Sequence, residues 1–291
     1  MRLIRPSYKI LAGSGKSDIL PYNYESSEKL IELAGRICYK SEENITDNSA
    51  NEFLDKIKKR KHLSVFEHSW KYKFYKHNVP FYKYLHYLET PQGTLVAGNF
   101  RAFEEWNYNH QMNCDESFKD YQIIYKYKRW DMLAASVKFI IDRGTSHELV
   151  RHRPVSYNQE STRYCNYSKD KFNNQITFII PPWCDIDEGE YNDTKSYNEY
   201  KETNECWLKH MFETEVNYKI LLDKGWSPQQ ARSILPNSLK TEIIVTTNLQ
   251  EWIHIFNLRA LGITGAPHPQ MLEVMQPLYS EFRNLFPEVF M

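Results

Sequence analysis

Three short segments alternate apolar and polar side chains, and they constrain this chain more than any other feature: Trp70–Tyr75 (WKYKFY), Ser136–Asp142 (SVKFIID) and Thr241–Asn248 (TEIIVTTN). A period of two sends successive side chains to opposite faces of a sheet. In the first segment Trp70, Tyr72 and Phe74 share one face, and the lysines fall largely on the other. Around the three lie stretches with helical spacing. Leu30, Ile31, Leu33, Ala34, Ile37 and Cys38 recur three and four residues apart, the stripe of an amphipathic helix. Ser49 and Glu52 have the spacing of a capping box ahead of Phe53, Leu54 and Ile57; Ser227, Pro228 and Gln230 repeat it before Ala231. A turn is predicted at Pro91–Gly93, with helices after Asn248 to about Gly262 and from His268 to Phe286, where Pro277 is the position for a kink. Strands and helices mix without regular alternation, so the expected class is α+β, a mixed or antiparallel sheet flanked by helices.

Charge and composition narrow the function. Lys plus Arg and Asp plus Glu each total 37, so the formal net charge is zero. A protein that grips nucleic acid through phosphates carries a basic excess, because counterion release supplies most of that affinity. No nucleic-acid partner is expected, and none in the membrane. At 291 residues, with no Gly/Ser linker or repeat, the chain reads as one elaborated domain spanning 1–291. Aromatic residues make up 15% of it, with 21 tyrosines and 7 tryptophans, which suits packed surfaces, flat-ring ligands or subunit interfaces alike. The five cysteines, Cys38, Cys114, Cys165, Cys184 and Cys206, include no CxxC pair, so neither a disulfide framework nor a structural zinc site is expected. No long apolar run marks a signal peptide or a membrane span, and the expected location is the cytoplasm. The most polar stretch, Cys184–Glu205, reads as a surface loop running into a helix.

Against that neutral background one stretch concentrates cations. Ser146–Tyr164 (SHELVRHRPVSYNQESTRY) places His147, Arg151, His152 and Arg153 within seven residues. One reading is a helix C-terminus after Gly144 and Ser146, where cations meet the negative end of the macrodipole. A zinc site fails on spacing: an HExxH motif needs histidines at i and i+4, and here that position is Arg151, with His152 one residue late. The third reading is an anion pocket. Arg151 and Arg153 offer planar forks that match phosphate oxygens, and Ser156, Asn158, Gln159, Ser161 and Arg163 follow with further donors.

At these residues the chain resembles a family. RHR, seven residues and a serine, as in RHRPVSYNQES, resembles the signature of the flavin-dependent thymidylate synthases, and STRY (Ser161–Tyr164) continues it. HLSVFEH (His62–His68), ARSILP (Ala231–Pro236) and NLQEWIHIFNLR (Asn248–Arg259) resemble three further pieces of that family in the same order. The resemblance covers most of the chain, with about 81–132 reading as an insertion relative to shorter members.

The resemblance implies that family's fold, with no Rossmann unit, in keeping with the lack of a GxGxxG fingerprint. It implies conversion of dUMP to dTMP, with methylenetetrahydrofolate as carbon donor and NADPH as reductant through bound FAD, and no metal. It also implies a homotetramer with active sites shared between subunits. By the same resemblance Arg259 is catalytic, placing a fixed charge where negative charge develops on the uracil ring. The implied dUMP contacts are Glu148, Leu149, Val150, Arg151, Gln159, Glu160, Ser161, Thr162, Arg163, Arg232 and Arg259, with Arg163 and Arg232 on the phosphate. The implied FAD contacts are Ser64, Arg151, His152, Arg153, Gln159, Asn248, Gln250 and His254; His62 and Glu67 fall near flavin and folate. Ser161 reads as a ligand, since a nucleophilic serine needs a base and an orienting group and His152 belongs to the flavin side. Cys165 reads as a packing residue. One position departs from the family: Gln250 stands where an arginine commonly contacts the flavin. A neutral amide in place of a charge is expected to weaken FAD binding by about 1 kcal/mol. Two readings from other classes stay open, a non-catalytic nucleotide- or RNA-binding protein and a metal-dependent phosphodiesterase using His62/His68 and His147/His152.

Overall fold

The computed structural model describes residues 1–15, 24–110, 116–117, 121–192 and 200–290. Cys114, residues 111–115 and 118–120 of the expected insertion, and 193–199 of the polar stretch lie outside the described residues. The chain runs through strands β1 (Arg2–Ile4) and β2 (Ser7–Gly13), then helices α1 (Tyr24–Ile37) and α2 (Ser49–Lys59). A 3-10 turn at Leu63–His68 leads into β3 (Trp70–Tyr75), the hairpin of β4 (Leu85–Thr90) and β5 (Gly93–Asn99), and α3 (Phe100–His110). The short β6 (Glu116–Ser117) and α4 (Gln122–Lys126) precede β7 (Ala134–Asp142), α5 (Arg143–Leu149) and β8 (Ser156–Gln159). Next come β9 (Thr177–Ile179), β10 (Gly189–Glu190), α6 (Glu202–Asp223) and α7 (Pro228–Ala231). Last are β11 (Lys240–Asn248), α8 (Leu249–Arg259) and α9 (Pro269–Leu285).

The strands form two four-stranded antiparallel sheets, β2-β7-β11-β8 and β4-β5-β3-β6, and a small mixed sheet β10-β1-β9 in which β1 runs parallel to β9. The α+β class read from the sequence is the observed one. β11 is buried from Thr241 onward because both its faces are covered. Ile243 and Val245 meet Trp252, Phe256 and Phe282 of α8 and α9, while Ile244 meets Ile31, Ala34 and Ile37 of α1. A separate core under α6 joins Leu208, Met211 and Tyr218 to Phe178 and Cys165. Among the described residues no helix is long and apolar enough to cross a membrane.

Three local expectations change. Ser49 is the first residue of α2 rather than its cap: Asn48 precedes it, and the Ser49 hydroxyl donates 2.9 Å to Glu32 while Glu52 pairs with Lys56. A long-range acceptor outcompetes the local box. The lysine face of β3 is not a solvent face either, because α3 packs over it. Tyr75 is fully buried against Trp106, and the Lys71 ammonium lies 3.7 Å from the centre of the Phe100 ring, with burial pushing its pKa down from 10.5 to about 8. The polar stretch from Cys184 starts with Cys184 and Ile186 buried in the α6 core rather than at the surface. The Ser227 box does form, Gln230 accepting from the Ser227 backbone N–H at 2.9 Å, and α9 continues through Pro277.

The hairpin depends on Gly93, whose φ is +148° and where a Cβ would sit 2.2 Å from the Tyr75 carbonyl oxygen. Gly93→Ala is expected to lower stability by about 1–3 kcal/mol, read as a shift of the urea midpoint. An unchanged midpoint would contradict the close approach of β5 to β3 at this residue.

Candidate active site

Two capped helices bring the distant motifs together. Asp142, the last residue of β7, accepts from the Thr145 N–H at 2.8 Å and starts α5; Asn248, the last of β11, accepts from the Glu251 N–H at 2.8 Å and starts α8. Each cap satisfies an orphan donor of its helix. Their C-terminal ends meet: Arg259 Nη1 donates to Glu148 Oε2 at 2.7 Å, Nη2 to the Glu148 carbonyl at 3.2 Å, and Nε to His152 Nε2 at 3.1 Å. The RHR residues do follow a helix C-terminus, and Arg259 joins them at the negative ends of two helices. A guanidinium has five N–H donors. With three committed to the protein, Arg259 is held in place and keeps two for a ligand.

His152 is buried, with its ring centre 5.8 Å from that of the exposed His254. Burial first, then the charges of Arg259 and His254, push its pKa from 6.5 down to about 4. Since Nε2 accepts from Arg259, the neutral ring carries its proton on Nδ1. The turn is braced by the Tyr157 hydroxyl, which donates to Leu149 O at 2.8 Å, and by the Thr247 hydroxyl on Pro154 O at 2.9 Å. Arg151 and Arg153 remain exposed.

A second group sits at the other end of β8. Four residues of strand separate it from the RHR turn, about 13 Å of extended chain. Here the Arg163 N–H donates to Ser161 Oγ at 3.3 Å, Arg163 Nε to Gln229 at 3.2 Å, and Arg232 to Thr162 Oγ1 at 3.4 Å. Arg163 and Arg232 are both exposed. The loop is fixed from beneath. Glu160, 1% exposed, takes Lys240 Nζ at 2.7 Å and the Tyr167 hydroxyl at 3.0 Å, its carbonyl accepts from Arg143, and Ser161 N–H donates to Cys38 O at 3.1 Å. With its carboxylate turned inward, Glu160 positions this loop. Gln159 Nε2 reaches back to Ser146 Oγ of α5 at 2.9 Å. Cys165 is fully buried and its thiol is pushed up to about 12 by burial, in keeping with a packing role.

Beside the RHR turn opens a cavity of about 510 Å³ lined by Glu67, Trp70, Arg153, Ser156, Tyr157 and Asn248, and on its far side by Tyr84, His86, Asn99, Arg101 and Glu105. Its size falls within the usual range for cofactor and ligand sites, about 300–1,000 Å³. Aromatic faces, the Arg153 guanidinium and the amides of Asn99 and Asn248, beside the carboxylates of Glu67 and Glu105, are a donor set that suits a planar heterocycle bearing an anionic chain, and so fits a flavin. Of the residues expected at the flavin, Arg153, Asn248 and Glu67 line this cavity; His62 and Ser64 are exposed on the neighbouring 3-10 turn, and Gln250 and His254 on the outer face of α8. His68 is fully buried with Nδ1 2.8 Å from Thr246 Oγ1, whereas His62 and His147 are exposed, so neither proposed histidine pair faces a common space. Sequence reading missed Tyr157, Arg101 and the role of Lys240 in bracing Glu160. Lys240 opens a strand whose centre, Ile243–Val245, is apolar, and Arg101 has the i, i+4 spacing of a pair with Glu105, but neither signal identifies a site.

The profile of the Thy1 family, described as "Thymidylate synthase complementing protein", matches residues 19–84 and 112–288. A flavin-dependent thymidylate synthase of Pyrococcus furiosus is 41% identical over 117 residues, which cover 40% of this chain and 42% of that protein. One of Saccharolobus solfataricus is 27% identical over 203 residues, 67% of this chain and 69% of that protein. The first of these alignments spans less than half of its relative's length. A UMP/dUMP methylase from Streptomyces cacaoi, solved with 5-Br UMP, aligns with a TM-score of 0.49 at 14% identity, covering 100% of this chain and 94% of that one.

The His152 environment has a measurable consequence. Its folded pKa, about 4, lies below the ordinary 6.5, so as acid is added the unfolded chain takes up the proton first. The stability contributed by the neutral ring is complete above about pH 6.5 and is lost as the pH falls toward 4. NMR titration of the ring should show the Nδ1–H tautomer near neutrality, and Arg259→Ala should move the pKa upward by removing one charge. An ordinary pKa in both forms would refute the contact.

Proposed function

The chain belongs to the Thy1 family of thymidylate synthase complementing proteins, and from that membership we propose that it is a flavin-dependent thymidylate synthase. It methylates dUMP to dTMP, taking the carbon from methylenetetrahydrofolate and releasing tetrahydrofolate, with NADPH supplying the reducing equivalents. The observation that carries this reading is the junction of Arg259, Glu148 and His152, which joins the RHR turn to the end of α8. FAD, which Arg153, Asn248 and Glu67 would hold, would supply hydride-transfer chemistry between the nicotinamide and the carbon being transferred.

This chain's own residues have separable tasks. Arg259 keeps a fixed positive charge, oriented by Glu148, where negative charge develops on the pyrimidine; such preorganised charge favours the transition state over the ground state. His152, neutral at working pH, accepts from Arg259 and so fixes the guanidinium plane without adding a competing charge. Arg163, Arg232 and Ser161 bind the nucleotide phosphate, for which two exposed guanidinium groups, one from the loop after β8 and one from the end of α7, are suited. Arg153, Asn248 and Glu67 hold the flavin in the cavity.

The two groups lie at opposite ends of β8, each with unshielded arginines, and Trp183, Trp226, Leu261 and Ile263 are exposed large apolar residues. That arrangement supports a homotetramer in which neighbouring copies complete each site. The location proposed is the cytoplasm, where Cys38, Cys165, Cys184 and Cys206 stay free thiols.

The test is direct. Purified protein incubated with FAD should turn yellow, and NADPH consumption should accelerate when dUMP and methylenetetrahydrofolate are added, with dTMP formed. A protein that stays colourless and forms no dTMP would refute the proposal.

The roles separate in variants. Ser161→Ala is expected to weaken dUMP binding by about 0.5–1.5 kcal/mol while turnover persists at saturation. Arg259→Ala is expected to lower the rate about 10²–10³-fold. A near-normal rate for Arg259→Ala at saturating dUMP would remove Arg259 from the chemistry.

A further inference from the structure

One side of the cavity beside the RHR turn is built by chain that the Thy1 profile does not include. Residues 85–111, between the two matched segments, carry β4, β5 and α3. From them His86, Asn99, Arg101 and Glu105 face the cavity opposite Arg153, Ser156 and Asn248. This segment is also linked to the opposite wall by a continuous run of hydrogen bonds. The Ser156 hydroxyl donates to Glu67 Oε2 at 3.1 Å; Arg101 Nη1 donates to Glu67 Oε1 at 2.8 Å; Arg101 Nε donates to Glu105 Oε1 at 2.8 Å; and the Tyr82 hydroxyl donates to Glu105 Oε2 at 2.7 Å.

Arg101 is set for this position. Asn99 Oδ1 accepts from the Ala102 N–H at 2.8 Å and fixes the first turn of α3, from which Arg101 projects. Both oxygens of Glu67 are thereby engaged, one from β8 and one from α3. A carboxylate gripped from two sides cannot swing out of the cavity wall, and the planar fork of arginine sets its orientation as well as its charge.

We propose that Arg101 is a positioning residue of the cofactor site: it holds the Glu67 carboxylate toward the bound flavin, and residues 85–110 supply a wall of that site. The inference rests on the flavin reading proposed above, and it assigns to this segment a role that the matched parts of the chain do not supply.

The experiment titrates FAD into apoprotein and follows quenching of flavin fluorescence, for the unaltered chain, Arg101→Ala, Arg101→Lys, Glu67→Gln and the Arg101→Ala/Glu67→Gln double variant, with melting curves for each. Arg101→Ala should raise the FAD dissociation constant about tenfold, the scale of one charge-assisted hydrogen bond. Arg101→Lys should recover part of the loss. The double variant should bind no more weakly than Glu67→Gln alone, because Arg101 acts through Glu67; a merely structural role predicts additive losses. If Arg101→Ala does not fold, Arg101→Gln takes its place in the cycle. FAD binding by the unaltered chain together with normal binding by the Arg101 variants, or additive losses, overturns this inference and leaves the proposed function standing. No FAD binding by the unaltered chain overturns both.

Discussion

The antiparallel pairing of β7 with β11, nine residues from Lys240 opposite Asp142 to Asn248 opposite Ala134, is the constraint on which the site depends. Both helices that carry the site start from it, α5 at its Asp142 end and α8 at its Asn248 end, and the caps at these two residues set their entry. The pair is about 30 Å long, and α8 and α5 together reach about 27 Å. Two helices launched from opposite ends of the ladder can therefore meet by their C-terminal turns over it. A one-residue slip in the register would exchange the two faces of β11, which pack against different helices, and would move Asn248 relative to Asp142, pulling Arg259 from Glu148 and His152.

The same ladder supports the second half of the site electrostatically. Lys240 Nζ contacts Glu160 and Glu242 at 2.7 Å each, Lys40 reaches Glu242 at 2.6 Å, and Lys138 pairs with it too. Burial alone would raise the Glu242 carboxyl, but Lys240, Lys40 and Lys138 outweigh it and hold it well below the ordinary carboxylate range. Buried charges of this kind add little to stability when complete and cost about 3–5 kcal/mol when one partner is lost. Their contribution here is geometric: they fix the backbone of Glu160 and Ser161, so that the exposed Arg163 projects from a rigid loop, which Arg232 meets from the end of α7 through Thr162. Lys240 is committed to this network. Gln250 itself is exposed and lies outside the cavity lining. Arg101, reaching the cavity from α3, is a cation in place.

Local signals were legible in proportion to how local their physics is. The alternation in WKYKFY, SVKFIID and TEIIVTTN and the stripe at Leu30–Ile37 correspond to β3, β7, β11 and α1, since period follows from backbone geometry. The Ser227–Gln230 box forms because its partners are three residues apart. Ser49 departs from its box because Glu32, 17 residues away, offers a better acceptor. Likewise the buried second face of β3 depends on α3 packing over Lys71 and Tyr75, which the strand's own pattern does not encode.

By itself the sequence determined the α+β class, the order of the elements and the spacing of RHR to Ser161, because each is carried by residues near one another in the chain. Tertiary structure decided the rest of the site: that Arg259 meets His152 across 107 residues, that Glu67 is gripped by Arg101 across 34, and that Glu160 faces inward to Lys240 across 80. Such pairings are set by strand register, by where capped helices end and by which charges burial forces together. Those quantities exist only once the ladder has formed.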